Sequence, residues 1–129
     1  MPTTATTAPL YAIKAELFRS LAHPTRIQVL EVLSADANHA ASVSRLLTAT
    51  GAEASALSQH LAVLKRAGVV TSTRTGNAVV YRLSRPLVAE LLVVARAFLR
   101  ETLSASGAQL AATDDLPPLS EGHPGGGGS

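Results

Sequence analysis

Residues 54–83 read ASALSQHLAVLKRAGVVTSTRTGNAVVYRL, and this stretch decides the fold of the 129-residue chain. Its first half places leucines at spacings of four and three, the repeat of one apolar face of a helix. These leucines are Leu57, Leu61 and Leu64. Because glycine commonly follows the end of a helix, Gly68 sets the limit of this segment, and the sequence predicts a helix over about residues 54–66.

The second half of the stretch is typical of a β-hairpin. Residues 69–74 and 78–83 are rich in Val, Thr and Tyr, which favour strands. Between them lies Thr75-Gly76-Asn77, and we expect its Gly-Asn pair to supply the positive φ angles of a tight turn. The stretch therefore predicts a helix followed at once by a hairpin.

Three further amphipathic segments precede this stretch. Residues 10–20 and 24–33 carry apolar side chains at helical spacing, and Pro24 suits the first turn of the second segment. A third helix is predicted over residues 40–49 and ends at Gly51. Two short helices joined around a glycine and followed by a hairpin, the wing, outline a winged helix-turn-helix. The predicted fold class is mainly α with a small β-hairpin, in the order α-α-α-α-β-β-α.

The last predicted helix, from Pro86 to about Ser104, is apolar on nearly its whole circumference. It is either a core helix of a single chain or a helix buried against a symmetric partner. We favour the partner, because the chain is short and its residues are only 3% aromatic. The predicted homodimer interface joins the first and last helices through Leu10, Ile13, Leu17, Leu91, Val94 and Phe98.

Positive charge is concentrated in the predicted helix and hairpin. All eleven Lys and Arg residues lie within residues 10–106, whereas the tail beyond carries acids and no base. No acid occurs between Ala54 and Ala89, where five bases lie: Lys65, Arg66, Arg74, Arg82 and Arg85. This asymmetry favours a polyanionic partner such as nucleic acid over an ordinary solvated face.

Composition also bounds the organisation of the chain. We expect a flexible N-terminal arm over residues 1–9, a winged helix-turn-helix domain over residues 10–106, and a disordered acidic and Gly-rich tail over residues 107–129. With no cysteine, no signal peptide and no membrane-spanning run, we expect a cytoplasmic protein with no membrane partner. The sequence contains no phosphate loop, no nucleophile–base pair and no carboxylate pair at a useful spacing, so we do not expect an enzyme.

Three blocks of the sequence closely resemble the ArsR/SmtB family. They are residues 21–30, which begin LAHPTRI, residues 57–70, LSQHLAVLKRAGVV, and the hairpin residues 74–83, RTGNAVVYRL. The resemblance covers about residues 11–103, and the blocks occur in the expected order and spacing. It implies a dimeric winged-helix protein that binds double-stranded DNA, usually as a repressor that a metal or another small signal releases.

The resemblance makes residues 54–66 the recognition helix, whose exposed side enters the major groove. Gln59 either pairs bidentately with adenine or is simply exposed, and Ser58 can contact bases or phosphates. His60 either contacts DNA or braces the helix. Ser55 can contact DNA, and we also expect it to act as the helix cap, because Glu53 stands where relatives often place Ser or Asp.

The basic residues around the wing are better suited to phosphates, which fix register and affinity. Arg74 has the alternative of entering the minor groove, and Asn77 either supports the turn or contacts a phosphate. The complete predicted DNA-binding set is Ser55, Ser58, Gln59, His60, Lys65, Arg66, Arg74, Asn77 and Arg82.

The two well-known metal sites of the family do not carry over to this sequence. By the resemblance, the Cys-x-Cys pair of the third helix falls on Ser42 and Ser44, and hydroxyls do not replace thiolates for soft metals. The last helix offers Glu90 and Glu101 but no histidine. The sequence therefore gives no support for a response to arsenic or cadmium, or for the usual zinc response.

The sequence predicts no particular cofactor, but it leaves one hypothesis of a metal site. It places nickel or zinc at His39 with an acid such as Asp36 across the dimer. His23 is the second candidate ligand, although its position before Pro24 is more typical of a cap or a surface residue.

Taken together, the residues predict a sequence-specific transcriptional regulator, in most such proteins a repressor. We expect it to bind an inverted-repeat operator as a homodimer, under the control of an unidentified signal. The alternative is a winged-helix module for protein interaction, or a regulator that needs a partner protein or a metal before it binds DNA. A pure interaction module would leave the basic strip from Lys65 to Arg85 without a use.

Overall fold

The computed structural model describes residues 2–104, with side chains described from residue 9 onward. Its elements are α1 (Pro2–Leu21), α2 (Pro24–Ala35), β1 (Ala40–Ser42), α3 (Val43–Thr50), α4 (Ala54–Arg66), β2 (Val70–Thr75), β3 (Ala78–Leu83) and α5 (Pro86–Leu103). This is the predicted winged helix-turn-helix with one added strand. The predicted tail, residues 107–129, lies outside the described residues.

α2 lies at the centre of the hydrophobic core. Val29, Leu30 and Leu33 are fully buried, and the helix packs against α3, α4, α5 and the sheet. The surrounding elements contribute Leu46, Leu57, Leu61, Leu64, Val70, Leu83 and Leu92 to the same cluster. Full burial of one such side chain stabilises the fold by about 1.5–3 kcal/mol. The core is therefore aliphatic, as the aromatic-poor composition indicates.

The start of the predicted third helix, residues 40–42, is a strand instead, and this is a correction to the sequence analysis. One carboxylate oxygen of Asp36 accepts the backbone N–H groups of Asn38 and Ala40, which forces a turn before the helix. His39 adopts a φ of 55° in that turn. The chain then pairs with β3 and enters α3 only after Ser42, whose hydroxyl accepts the N–H of Arg45 as the helix cap.

Residues 2–9 belong to α1, so the N-terminal arm that we expect over residues 1–9 is helical from Pro2 onward, and its flexibility stays a prediction. Pro2 occupies the first helical position, where a missing N–H costs nothing. Once a helix exists, each added residue gains a hydrogen bond, so an Ala- and Thr-containing segment without glycine can extend it. The helix continues through Pro9.

The wing is the hairpin β2–β3, and β1 extends it to a three-stranded antiparallel sheet in the order β1-β3-β2. Gly76 has a φ of 63° in the tight turn, as predicted for a residue without a Cβ. Asn77 does not share that conformation, because His39 is the one non-glycine residue of the described chain with a positive φ. Our expectation of positive φ angles at both turn residues is therefore half right.

α5 is joined to α2 by a largely buried ion pair. Arg96 Nη2 lies 3.6 Å from Glu31 Oε1, with 16% and 17% of the two side chains exposed. Burial raises the pKa of Glu31, and the Arg96 charge opposes that rise. Removing one partner leaves a buried charge uncompensated, which costs about 3–5 kcal/mol in comparable cases. The pair therefore adds a polar contact to the apolar packing of Leu92 that joins α5 to the core.

Leu30→Ala tests the central position of α2. Leu30 has no exposed surface, so its truncation leaves a cavity among side chains that cannot collapse freely. We expect the free energy of unfolding in urea, followed by circular dichroism, to fall by about 2–5 kcal/mol. A loss below about 1 kcal/mol, the scale of a tolerated surface change, would show that α2 is not the centre of the core.

Candidate nucleic-acid interface

α4 presents a polar face on the side opposite its buried leucines. Successive helical residues are about 100° apart, so Ser55, Gln59 and Arg66 fall on one line along the helix. All three are exposed. Ser58 and Lys65, seven residues apart, are exposed on the flank that faces the wing. Because Leu57, Leu61 and Leu64 are buried, the rotation of this face is fixed by the core.

The N-terminal end of α4 is capped differently from our expectation. Glu53 is the N-cap residue, but its side chain makes no capping hydrogen bond. Ser55 does not take over the capping role, because its hydroxyl donates to Glu53 Oε1 at 3.3 Å. The prediction of Ser55 as the cap is wrong, since residue 55 already lies inside the helix. Ser55 stays an exposed polar group at the open end of the helix.

His60 lies on the other flank of α4, turned toward α2 and half-buried. Its Nδ1 is 3.2 Å from Arg26 Nη1, and its ring centroid is 4.2 Å from that of His23. Burial, and then electrostatic interaction with His23 and Arg26, lower the pKa of His60. His60 is therefore part of the contact between α4 and α2 as well as a neighbour of Gln59. Sequence reasoning missed Arg26, because an arginine near a helix start carries no signal of a contact 34 residues away.

Lys65 ties the wing to the recognition helix. Its Nζ donates to Ser72 Oγ at 2.8 Å, between the end of α4 and the middle of β2. The sequence analysis assigned Lys65 to phosphate contact alone and did not single out Ser72. An ammonium group has three donors, so Lys65 can hold Ser72 and still offer a proton to an anion.

The strand register places Arg74 and Arg82 on opposite faces of the sheet. Arg74 lies opposite Val79, on the face that carries the buried pair Val70 and Leu83. Arg82 lies opposite Thr71, one residue out of phase, and therefore on the other face. Arg74 consequently shares the α4 side of the wing with Ser72. The structure therefore separates Arg74 from Arg82, although the sequence analysis assigns both to phosphate contact.

The basic residues of this region are free of ion pairs within the described chain. Lys65, Arg66, Arg74, Arg82 and Arg85 form no salt bridge there, since the bridges involve acids of α1 and α2 and Asp36. All five side chains are exposed. Unneutralised charge beside an exposed polar helix is the electrostatic pattern of a surface that binds a polyanion.

α1 and α5 together expose a large apolar surface. Leu10, Ile13, Val94 and Phe98 of the predicted interface are exposed, the last at 62%, whereas Leu17 and Leu91 are half-buried. The same two helices expose five further large apolar side chains that the predicted interface does not include: Tyr11, Phe18, Leu87, Val93 and Leu99. An apolar groove of about 160 Å³ opens between the helices and is lined by Leu17, Leu21, Val69, Leu87, Val88 and Leu91. Exposed apolar side chains on two helices that meet at such a groove are typical of an interaction site.

The two candidate metal ligands lie in different surroundings. His23 Nδ1 accepts the N–H of Thr25 and caps α2, which is the capping role that the sequence favours. His39 is near Asp36, but that carboxylate already accepts two backbone N–H groups and contacts Arg45. Within residues 2–104, no group of three or more His, Cys, Asp and Glu side chains is arranged to hold a metal ion. Nickel or zinc binding stays an untested hypothesis.

Comparison with known proteins agrees with this geometry. A model of a helix-turn-helix domain matches residues 21–73. The chain is 52% identical over 97 residues to the uncharacterized HTH-type transcriptional regulator Rv0081 of Mycobacterium tuberculosis, covering 74% of this chain and 82% of that protein. It is 38% identical over 78 residues to the HTH-type transcriptional repressor SmtB of the same organism, covering 60% and 56% of the two chains.

Solved structures show the same fold. The crystal structure of Rv0081 matches with a TM-score of 0.69 at 51% identity, over 75% of this chain and 95% of that one. The homodimeric winged helix-turn-helix DNA-binding domain of Mb0332 from Mycobacterium bovis, a possible ArsR-family regulator, matches with a TM-score of 0.69 at 29% identity, over 77% and 89% of the two chains.

The fold and the exposed basic surface define a winged helix-turn-helix DNA-binding protein. The chain belongs to the ArsR/SmtB family of transcriptional regulators, as its sequence resemblance indicates. The matched proteins are regulators and not enzymes, in agreement with our expectation. Among residues 2–104, no helix combines the length and apolarity that crossing a bilayer requires.

The lowered pKa of His60 predicts a loss of stability in mild acid. The unfolded chain binds a proton near the ordinary value of 6.5, whereas the folded chain binds it only at lower pH. Between those two values the unfolded state holds more protons, so the free energy of unfolding falls as the pH drops below about 6.5 and levels off below the folded pKa. We expect this fall in urea unfolding at pH 7.5, 6.5 and 5.5.

His60→Gln is the matched control for this measurement. It removes the titrating group but leaves Glu31 and Asp36, whose pKa values are also shifted, in place. The difference between the two proteins therefore isolates His60. Identical pH dependence in both would contradict the assignment.

Proposed function

We propose that this chain is a sequence-specific transcriptional repressor that binds an inverted-repeat operator as a homodimer and is modulated by a signal. The observation that carries the proposal is the exposed polar face of α4, flanked by a wing whose basic residues have no ion pairs in the described chain. Because the proposed partner is operator DNA, the proposal includes a cytoplasmic location for the protein.

α4 supplies the base contacts in this proposal. Gln59 and Ser55 lie on the exposed line of the helix, with Ser55 nearest the N-terminal end that reaches base edges in related motifs. The carboxamide of Gln59 matches the paired donor and acceptor of adenine. Ser58, on the wing side, can contact a base or a phosphate.

The wing and the end of α4 supply phosphate contacts. Arg66 and Arg74 are exposed on the side of the molecule that α4 presents. Lys65 joins α4 to the wing through its hydrogen bond to Ser72, and Arg74 on the same side of the wing reaches the DNA beside the helix. Arg82 has a lesser role here, because the register places it on the other face of the sheet.

Gln59→Ala and Arg74→Ala test these two roles separately. Fluorescence anisotropy compares the chain's own upstream promoter DNA with a scrambled duplex at two salt concentrations. Gln59→Ala should lose about 1–3 kcal/mol of discrimination between the duplexes. Arg74→Ala should weaken binding to both and reduce the salt slope by about one. Arg82→Ala is the charge-matched control and should change binding less than Arg74→Ala.

Weak and equal binding of the unchanged protein to both duplexes would overturn the autonomous repressor. That outcome would favour the alternative, a regulator that needs a partner protein, a metal or a small ligand. Repeating the titration with Ni²⁺ or Zn²⁺ added then separates a metal requirement from a protein requirement.

The apolar surface of α1 and α5 is proposed as the dimer interface. Two copies that cover this surface would bring two recognition helices to two half-sites of one operator. Phe98→Glu places a charge at its centre, so we expect a monomer in size-exclusion chromatography with light scattering, and weaker operator binding. Glu90→Gln on the same helix is the control. A dimer that persists in Phe98→Glu would contradict this interface.

A further inference from the structure

We propose that Arg26 is a positioning residue, which holds His60 as an Nε2–H donor to a phosphate oxygen of the DNA. The proposal rests on the proposed function, and it adds a residue outside the recognition helix and the wing. Neither Arg26 nor the protonation of His60 is evident from the sequence pattern.

The contact between the two side chains determines which nitrogen of His60 carries the proton. A guanidinium group offers only N–H donors and stays charged at all ordinary pH values. Arg26 Nη1 lies 3.2 Å from His60 Nδ1, so Nδ1 must be the acceptor. The imidazole is then neutral, and its proton lies on Nε2.

His23, the N-cap residue of α2, is the second side chain that contacts the His60 ring. Its own Nδ1 accepts the backbone N–H of Thr25 at 3.0 Å, which likewise places its proton on Nε2. The His23 ring packs on the His60 ring with 4.2 Å between centroids. Because His23 caps α2 and Arg26 lies in the first turn of the same helix, both contacts to His60 come from one rigid element.

The Nε2 atom of His60 is available to a ligand. It forms no hydrogen bond within the described residues, and it is not among the buried polar atoms that lack a partner. It is therefore open to solvent. His60 follows Gln59 but is turned about 100° toward α2. Gln59 faces away from the core, so we assign the base edges to Gln59 and the sugar–phosphate backbone beside the groove to the flank of His60.

In this arrangement Arg26 supplies the positive charge and His60 supplies the hydrogen-bond donor. The nearby guanidinium disfavours an imidazolium, so the donor is a neutral N–H of fixed direction. Without Arg26, no donor fixes the proton of His60 on Nε2, so the ring exchanges its tautomer and takes up a second proton more readily.

A double-mutant cycle on DNA affinity tests the proposal. Arg26→Met keeps the length of the side chain and removes every donor, and His60→Leu removes the proposed phosphate contact. We expect each single variant to weaken binding to the promoter duplex by about tenfold, the scale of one charge-assisted hydrogen bond. In the His60→Leu background, Arg26→Met should cost less than about twofold further. Arg19→Gln, an exposed arginine of α1, is the charge-matched control.

Equal losses from Arg26→Met in both backgrounds would overturn the proposal, because Arg26 would then act on DNA directly or through the fold. Circular dichroism and thermal unfolding check that the variants are folded. Arg26→Lys keeps a charge and a donor, so it should recover most of the affinity that Arg26→Met loses.

The protonation of His60 is measured without DNA, by nitrogen-15 NMR of the labelled imidazole rings. We expect Nδ1 to be unprotonated and Nε2 protonated in the unchanged protein at pH 7.5, and the pKa of His60 to rise in Arg26→Met. A proton on Nδ1 would overturn the proposal even if DNA binding is selective. Absence of selective binding, with the expected NMR result, would instead overturn the proposed function and, with it, only the phosphate contact of His60.

Discussion

The burial of Leu57, Leu61 and Leu64 against the core around α2 is the constraint on which the rest of the structure depends. Three leucines on one side of a helix fix its rotation, because a turn of even one residue would expose them and bury polar groups. That packing determines which side chains of α4 are exposed to a ligand. The wing is positioned relative to the same helix, since Lys65 of α4 donates a hydrogen bond to Ser72 of β2.

Most of the fold was predictable from the sequence, for physical reasons that are local. The leucine repeat of α4, the proline at the start of α2 and the glycine of the hairpin each act within a few residues. The exposed residues of the recognition helix follow from the same repeat. Gln59 is opposite the leucines in any helix with this sequence.

The remaining features depend on contacts between distant parts of the chain. β1 forms because Asp36 binds the backbone after α2 and because β3 offers a free edge, which a helical pattern in residues 40–49 does not reveal. The opposite faces of Arg74 and Arg82 follow from a register that only the turn geometry fixes. The cluster of Arg26 with His60 spans 34 residues, and no periodicity reports it.

The sheet order has a consequence for the behaviour of the protein in concentrated solution. With β3 in the middle, β2 keeps one side unpaired and could in principle add a strand from another molecule. Its six residues are VTSTRT, four of them exposed, with a cation near the tip and no run of apolar side chains. Like charges and small hydroxyls disfavour growth of the sheet from chain to chain. The composition that suits a polyanion therefore also protects the protein from aggregation through its own edge.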